Sequence, residues 1–215
     1  MAKAVIIISG GPDSSTVAYY AKNEGYDIYG VAFDYGQRAS KETIHAKMIA
    51  DRLGIPIKVV DLSSLKAIFG KSTALCDEDI PMPSRFEPTI IVPFRNAIFL
   101  SIAVSYAIAI GAEAVFYGAQ GSDAKCYPDC REAFFKAFQK AARQGTETEI
   151  AIVAPFYEMT KSEVIKIGTK LGVPYELTWS CYLGESRHCG RCESCVNRKK
   201  AFREAGIEDP SEYEV

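Results

Sequence analysis

Ser9-Gly10-Gly11-Pro12-Asp13-Ser14 brings small hydroxyl residues, two glycines and an acid together in one short run. A loop of this kind presents backbone N–H groups and hydroxyl donors. Where a helix follows, it also presents the positive end of a peptide dipole, so its natural guest is an anion such as phosphate. Gly10 and Gly11 let the backbone approach that guest, and Ser9, Ser14 and Ser15 offer hydroxyls. Pro12 has no N–H to give but suits the first turn of a helix. A Walker loop requires Gly-Lys-Ser/Thr and a dinucleotide fingerprint requires Gly-x-Gly-x-x-Gly; neither is present. An ordinary Gly/Ser turn is the plain alternative, and placement at the first strand–helix junction favours phosphate over it.

The second chemical signal is Cys189-Gly190-Arg191-Cys192-Glu193-Ser194-Cys195, in which two Cys-x-x-Cys steps share Cys192. Such steps turn thiolates toward one point, and Cys181 can return as a fourth ligand across the intervening loop. Four thiolates suit tetrahedral zinc with no position left for water, which makes the metal structural. An iron–sulfur cluster is the rival, although Val196-Asn197-Arg198-Lys199 stands where a ferredoxin run has a further Cys-Pro. His188 is an alternative fourth ligand. Cys76, Cys126 and Cys130 have no such spacing, and Cys76 reads as a small apolar residue.

Other polar groups fall where strands end. Asp34-Tyr35-Gly36-Gln37-Arg38 offers a ring that can stack on a base, with Gln37 and Arg38 as planar hydrogen-bonding forks. Arg95 and Asn96 open a long apolar helix, where they suit an anionic substrate, or where Asn96 merely caps. Asp123 follows the fourth strand. In Tyr127-Pro128-Asp129-Cys130-Arg131, Asp129 can accept two donors from a guanine-like edge and Arg131 can clamp a carboxylate, or either serves equally as a helix-start residue with no ligand. Lys161 starts a helix near the fifth strand and can neutralise phosphate charge. His45 reads as structural.

Strand and helix patterns alternate through the chain and position these groups. Strands are predicted over 4–8, 26–33, 57–62, 114–117 and 150–154. Helices are predicted over 14–21, 41–53, 97–110, 129–144 and 160–171, with a short last helix after the cysteines. Thr160-Lys161-Ser162-Glu163 has capping-box form. The irregular 63–92 stretch, rich in Pro and charge, reads as a functional loop or flap. The pattern predicts an α/β doubly wound parallel sheet over 1–175, with ligands at the carboxyl ends of its strands, and a cysteine-bearing segment with the final helix over 176–215.

Length and composition agree with this organisation. A chain of 215 residues, 48% hydrophobic and 24% charged, fits one sizeable domain with an appendage. A net charge of -2 argues against a broad nucleic-acid surface, so a small substrate is expected. The first residues read as a core strand rather than a signal peptide, and the 97–110 run reads as a buried helix too short to span a bilayer. A cytoplasmic protein with reduced, metal-binding cysteines is expected.

The Ser-Gly-Gly-Pro-Asp-Ser loop resembles that of the PP-loop ATP pyrophosphatases. Together with Asp34-Tyr35-Gly36-Gln37-Arg38, Val92-Pro93-Phe94-Arg95-Asn96, Tyr127-Pro128-Asp129-Cys130-Arg131 and the four cysteines, it resembles the 7-cyano-7-deazaguanine synthases over nearly the whole chain. Phe94 stands where that pattern has glycine, and Ala124-Lys125-Cys126 also departs from it. The resemblance implies an enzyme that joins 7-carboxy-7-deazaguanine and ammonia, with ATP and magnesium, to form a nitrile in queuosine or archaeosine synthesis. It implies ATP binding by Ile8, Ser9, Gly10, Gly11, Pro12, Asp13, Ser14 and Ser15. Catalytic roles would fall to Asp13, Ser14, Arg95, Asp123 and Lys161, and substrate contacts to Tyr35, Gln37, Arg38, Asn96, Tyr127, Asp129 and Arg131. The metal ligands would be Cys181, Cys189, Cys192 and Cys195, and a homodimer without direct nucleic-acid contact is implied. A tRNA thiolase of the same superfamily, or a nucleotide-binding zinc protein without turnover, are the alternatives.

Overall fold

Lys3–Ile7 forms the first strand, β1, and the chain then alternates strand and helix. The computed structural model describes residues 1–39, 41–183 and 186–215. After β1 come α1 (Pro12–Asn23), β2 (Asp27–Asp34), α2 (Lys41–Leu53), β3 (Ile57–Asp61) and the short α3 (Lys66–Phe69). Then follow α4 (Arg95–Ile110), β4 (Ala114–Phe116), α5 (Glu132–Thr146), β5 (Ala151–Val153), α6 (Lys161–Lys170) and α7 (Glu193–Ala205). The strands pair in parallel in the order β3-β2-β1-β4-β5.

Alternation along β1 sends its side chains to two different cores. Val5 packs with Val31, Phe33, Val115 and the buried faces of α4 and α5. Ala4 and Ile6 pack with Ile28, Ala32, Phe116 and residues of α1, α2 and α6. Helices thus cover both faces, as a doubly wound parallel sheet requires. The order reverses between β1 and β4, and a crevice opens there at the carboxyl ends.

The expected helix over 41–53 matches α2, and Thr160 and Glu163 form the reciprocal capping box at the start of α6. Two expectations need correction. The apolar stretch is longer than 97–110: Pro88–Ile110, which includes the turn before α4, is long and apolar enough to cross a membrane by length and composition. In the fold, Leu100, Ala103 and Ala107 of α4 are fully buried against the sheet. The 63–92 stretch is not without order either. It holds α3, several 3-10 turns and a small core of Phe69, Leu75, Cys76, Ile90 and Val92 with Tyr35.

Candidate active site

The phosphate-type loop is held by its own hydroxyls. Ser9 N–H donates to Ser14 Oγ at 3.1 Å, the two hydroxyl oxygens lie 3.0 Å apart, and Ser14 Oγ–H reaches Gly11 O at 3.2 Å. Gly10 has φ +81°, and a Cβ there would lie 2.5 Å from Glu42 O and 2.8 Å from Ala46 N. The loop therefore rests directly on the first turns of α2, an approach that only glycine permits. Gly11 precedes α1, and Pro12 and Asp13 open it, so the helix N-terminus faces the crevice.

Asp13 reaches across the crevice to α6, where its Oδ2 accepts from Lys161 Nζ at 2.7 Å. Its Oδ1 is buried with no hydrogen-bond partner among the described residues. Burial works against the Lys161 charge, but Asp13 and Asp123 outweigh it and raise the lysine pKa. Burial also raises Asp123 to about 6, against the pull of Lys161. Opposite, Arg95 Nη1 donates to Tyr35 Oη at 2.9 Å, and its guanidinium lies over the Tyr35 and Phe99 rings at 5.5 and 5.8 Å. Burial disfavours that charge too, yet Tyr35 and Glu42 hold it and the pKa is raised.

Between these groups lies a cleft of about 240 Å³. Ile8, Ser9, Gly11, Pro12, Asp13 and Ser14 line one side, and Tyr35, Arg95, Asn96, Asp123, Tyr127, Asp129 and Lys161 line the rest. Five anticipated contacts do not reach it. Gly10 turns toward α2, and the fully buried Ser15 hydroxyl donates to Gly11 O at 2.8 Å. Buried Gln37 braces its own loop, accepting from Tyr35 N–H at 2.8 Å and donating to Phe33 O at 3.2 Å. Arg38 reaches Ala74 O and Ile80 O, both at 3.5 Å, and the exposed Arg131 donates to Ala124 O at 2.9 Å. Asn96 and Asp129 engage each other, since Asp129 Oδ2 accepts Asn96 N–H at 3.2 Å and so caps α4.

The cysteine segment forms the remaining wall. Sγ atoms of Cys181, Cys189, Cys192 and Cys195 lie within 4.8 Å of one another, and all four residues are buried. Leu183 and Cys189 N–H groups donate to Cys181 Sγ at 3.3 and 3.2 Å, and Cys192 N–H donates to Cys189 Sγ at 3.3 Å. Donors of this kind stabilise thiolates, so the set fits a metal with four sulfur ligands. His188 stands outside it, its ring between those of Trp179 and Tyr213 and its Nε2 accepting from Ser180 N–H at 3.3 Å. Trp179 N–H donates to Gly10 O at 2.8 Å, joining this segment to the phosphate loop.

Sequence reasoning missed several cleft residues: Glu42, Tyr117, Trp179, Ser180, Tyr182, Glu193 and Asn197. Glu193 lay within the cysteine run as a spacer between ligands, and Glu42 within a helix as a first-turn acid. Nothing in the local pattern says that these faces turn toward the sheet edge.

A model of the queuosine biosynthesis protein QueC matches residues 3–206. The 7-cyano-7-deazaguanine synthase of Thermoplasma acidophilum is 48% identical over 99% of this chain and 92% of its own length. That of Methanoculleus marisnigri is 46% identical over the full length of both. Among solved structures, a 4-thiouridine synthetase in complex with RNA and bound ATP superposes with a TM-score of 0.57 at 17% identity. It covers 95% of this chain and 50% of that one. The U34-tRNA thiolase NcsA from Methanococcus maripaludis, solved with its [4Fe-4S] cluster, gives 0.52 at 17% identity over 99% of this chain and 74% of that one. These two likenesses show a shared PP-loop fold alone, and the sulfur-transfer alternative is not favoured. By family model and by near-full-length identity alike, the chain belongs to the 7-cyano-7-deazaguanine synthase (QueC) family.

Proposed function

We propose that the protein converts 7-carboxy-7-deazaguanine, ammonia and ATP into 7-cyano-7-deazaguanine. The observation that carries this reading is the cleft itself. A phosphate-type loop with the Asp13–Lys161 pair stands on one side, and Arg95, aimed by its hydrogen bond to Tyr35, stands on the other. Such a cleft suits a nucleoside triphosphate and an anionic heterocycle facing each other. The family assignment supplies the identity of the heterocycle.

A carboxylate resists attack by a nitrogen nucleophile until its oxygen carries a good leaving group. In the proposed sequence the carboxylate oxygen attacks the α-phosphorus of ATP and pyrophosphate departs. Ammonia then adds to the carbonyl carbon and AMP leaves, giving the amide. A second ATP activates the amide oxygen in the same way, and loss of AMP with the remaining N–H protons leaves the nitrile. Ser9, Gly11 and Ser14 would bind phosphate oxygens, Lys161 would offset pyrophosphate charge, and Arg95 would orient the carboxylate. Arg95 and Lys161 act through fixed charge, and Tyr35 and Asp13 keep them aimed.

Magnesium fits the unpartnered Oδ1 of Asp13, a hard oxygen donor with Asp123 close by, and it would supply charge neutralisation for the triphosphate. Zinc fits the four-cysteine group and would supply a closed structural centre. We read 1–175 as the ATP-binding domain and 176–215 as the zinc-binding segment that completes its cleft. We read the protein as a homodimer on the family resemblance, with exposed Phe94 an apolar side chain that such an interface would cover. The net charge of -2 supports free small molecules over nucleic acid as partners. Four cysteines gathered as free thiols in one metal-type group, and an α4 whose Leu100, Ala103 and Ala107 face is buried against the sheet, support a cytoplasmic setting.

The test is mass spectrometry of products from purified protein with ATP, magnesium, ammonium and 7-carboxy-7-deazaguanine. A nitrile that disappears in Asp13→Ala is the expected result. Neither amide nor nitrile from folded, metal-loaded protein would overturn the reading.

A further inference from the structure

Tyr117 is the residue immediately after β4, at the carboxyl end where the strand order reverses. It is only 4% exposed, it lines the cleft, and its hydroxyl has no hydrogen-bond partner among the described residues. A buried phenol normally finds a partner, because an unpaired one forfeits its hydration without return. The ring itself is well seated, edge-on to Phe135 at 6.3 Å, so the hydroxyl cannot simply swing to solvent. Asp129 and Cys130 line the same cleft, and their charges act on the Tyr117 hydroxyl. Asn96 lines it as well, donating from Nδ2 to Cys130 Sγ at 3.6 Å.

A phenol beside a carboxylate has a definite chemical complement. The carboxylate only accepts, so it takes N–H groups, and the hydroxyl beside it is left to donate to a carbonyl. Adjacent N–H and C=O on one planar edge is the lactam of a guanine-type ring. We infer that Tyr117 is a specificity-determining residue that donates its hydroxyl hydrogen to the lactam carbonyl of the bound heterocycle, with Asp129 accepting the neighbouring N–H groups. This rests on the proposed substrate class and goes further, assigning the base-reading end of the cleft to a residue outside the Tyr127–Arg131 motif.

The experiment pairs Tyr117→Phe with a substrate analogue that has hydrogen in place of the lactam oxygen, 2-amino-7-carboxy-7-deazapurine. With the natural carboxylate, the variant should show about a tenfold rise in KM, while KM for ATP stays within about twofold. With the analogue, which also lacks the ring N–H that Asp129 accepts, wild type should lose about tenfold or more and the two proteins should share one KM, because the missing oxygen and the missing hydroxyl are one interaction. Thermal stability of the ligand-free variant should be unchanged or higher. Equal KM for the natural substrate in both proteins, or additive losses with the analogue, would overturn the inference. A wild-type protein that forms no nitrile would instead overturn the proposed function.

Discussion

Asp13, in the first turn of α1, and Lys161, the first residue of α6, meet across the crevice with Oδ2 and Nζ 2.7 Å apart. Two helix N-termini from distant parts of the chain thus converge on one anion site. Lys161→Ala should leave Asp13 beside Asp123 with no neutralising charge, and ATP binding should weaken by at least tenfold. Lys161→Arg should restore it in part. Titration of ATP binding by equilibrium dialysis reads both, and unchanged affinity in Lys161→Ala would exclude the lysine from the nucleotide site.

Metal removal should disable ATP binding along with the cysteine site. Trp179 N–H bonds to Gly10 O, and Trp179 Nε1–H bonds to Cys181 O at 2.9 Å, so the metal-bearing segment and the phosphate loop share one residue. Trp179 is the chain's single tryptophan. Chelator treatment should therefore shift intrinsic tryptophan fluorescence and lower ATP affinity over the same metal range, and zinc should reverse both. Loss of metal with ATP affinity intact would show that the two sites are independent.

Glu42 should contribute stability that is lost as pH rises through the acidic range, opposed by buried His188, whose pKa burial lowers to about 4. Burial, against Arg95 and a donor from Gln37, raises Glu42 to about 7 from 4.5. Between those values the folded state holds a proton that the unfolded chain has released. Folding is thus favoured by this group at low pH, and the advantage is lost as pH rises toward 7. Asp123, raised to about 6, contributes with the same sign. Melting temperatures measured from pH 5 to 7 should decline less steeply in Glu42→Gln than in wild type, and parallel curves would refute this assignment.

Phe94 has φ 55° and is 66% exposed. A left-handed conformation costs a non-glycine residue about 1 kcal/mol or more. The backbone there keeps the geometry that glycine would choose. Phe94→Gly and Phe94→Ala both lose the contact with Phe134, but the glycine variant should be more stable than the alanine variant by about 1 kcal/mol. Denaturant unfolding of the two compares them directly.

Arg198 is fully buried, with Nε 3.1 Å from both oxygens of Asp209, Nη1 2.8 Å from Thr178 Oγ1 and Nη2 3.1 Å from Tyr175 O. Asp209→Ala would leave that charge uncompensated and should destabilise the fold by about 3 kcal/mol. A loss under about 1 kcal/mol by denaturant unfolding would mean that water reaches the guanidinium.

What the sequence could show follows from how local each signal is. Apolar alternation and caps depend on neighbours along the chain, which is why α2 and the Thr160 capping box could be read there. The four cysteines carry their own spacing. Gln37, Arg38 and Arg131 lie away from the cleft because a polar residue after a strand serves equally to brace the loop that carries it. Glu42, Tyr117 and Glu193 were invisible because their orientation toward the cleft depends on sheet order, with residues far apart in sequence placed face to face. The cysteine segment was legible as a metal site and illegible as a wall of the nucleotide site for the same reason.

The bond between Trp179 and Gly10 makes completion of the cleft a long-range event. The phosphate loop follows β1, its opposing wall follows β5 and α6, and the two meet only when the parallel sheet between them is assembled. Nucleotide capacity would therefore report completion of the fold rather than formation of the loop alone.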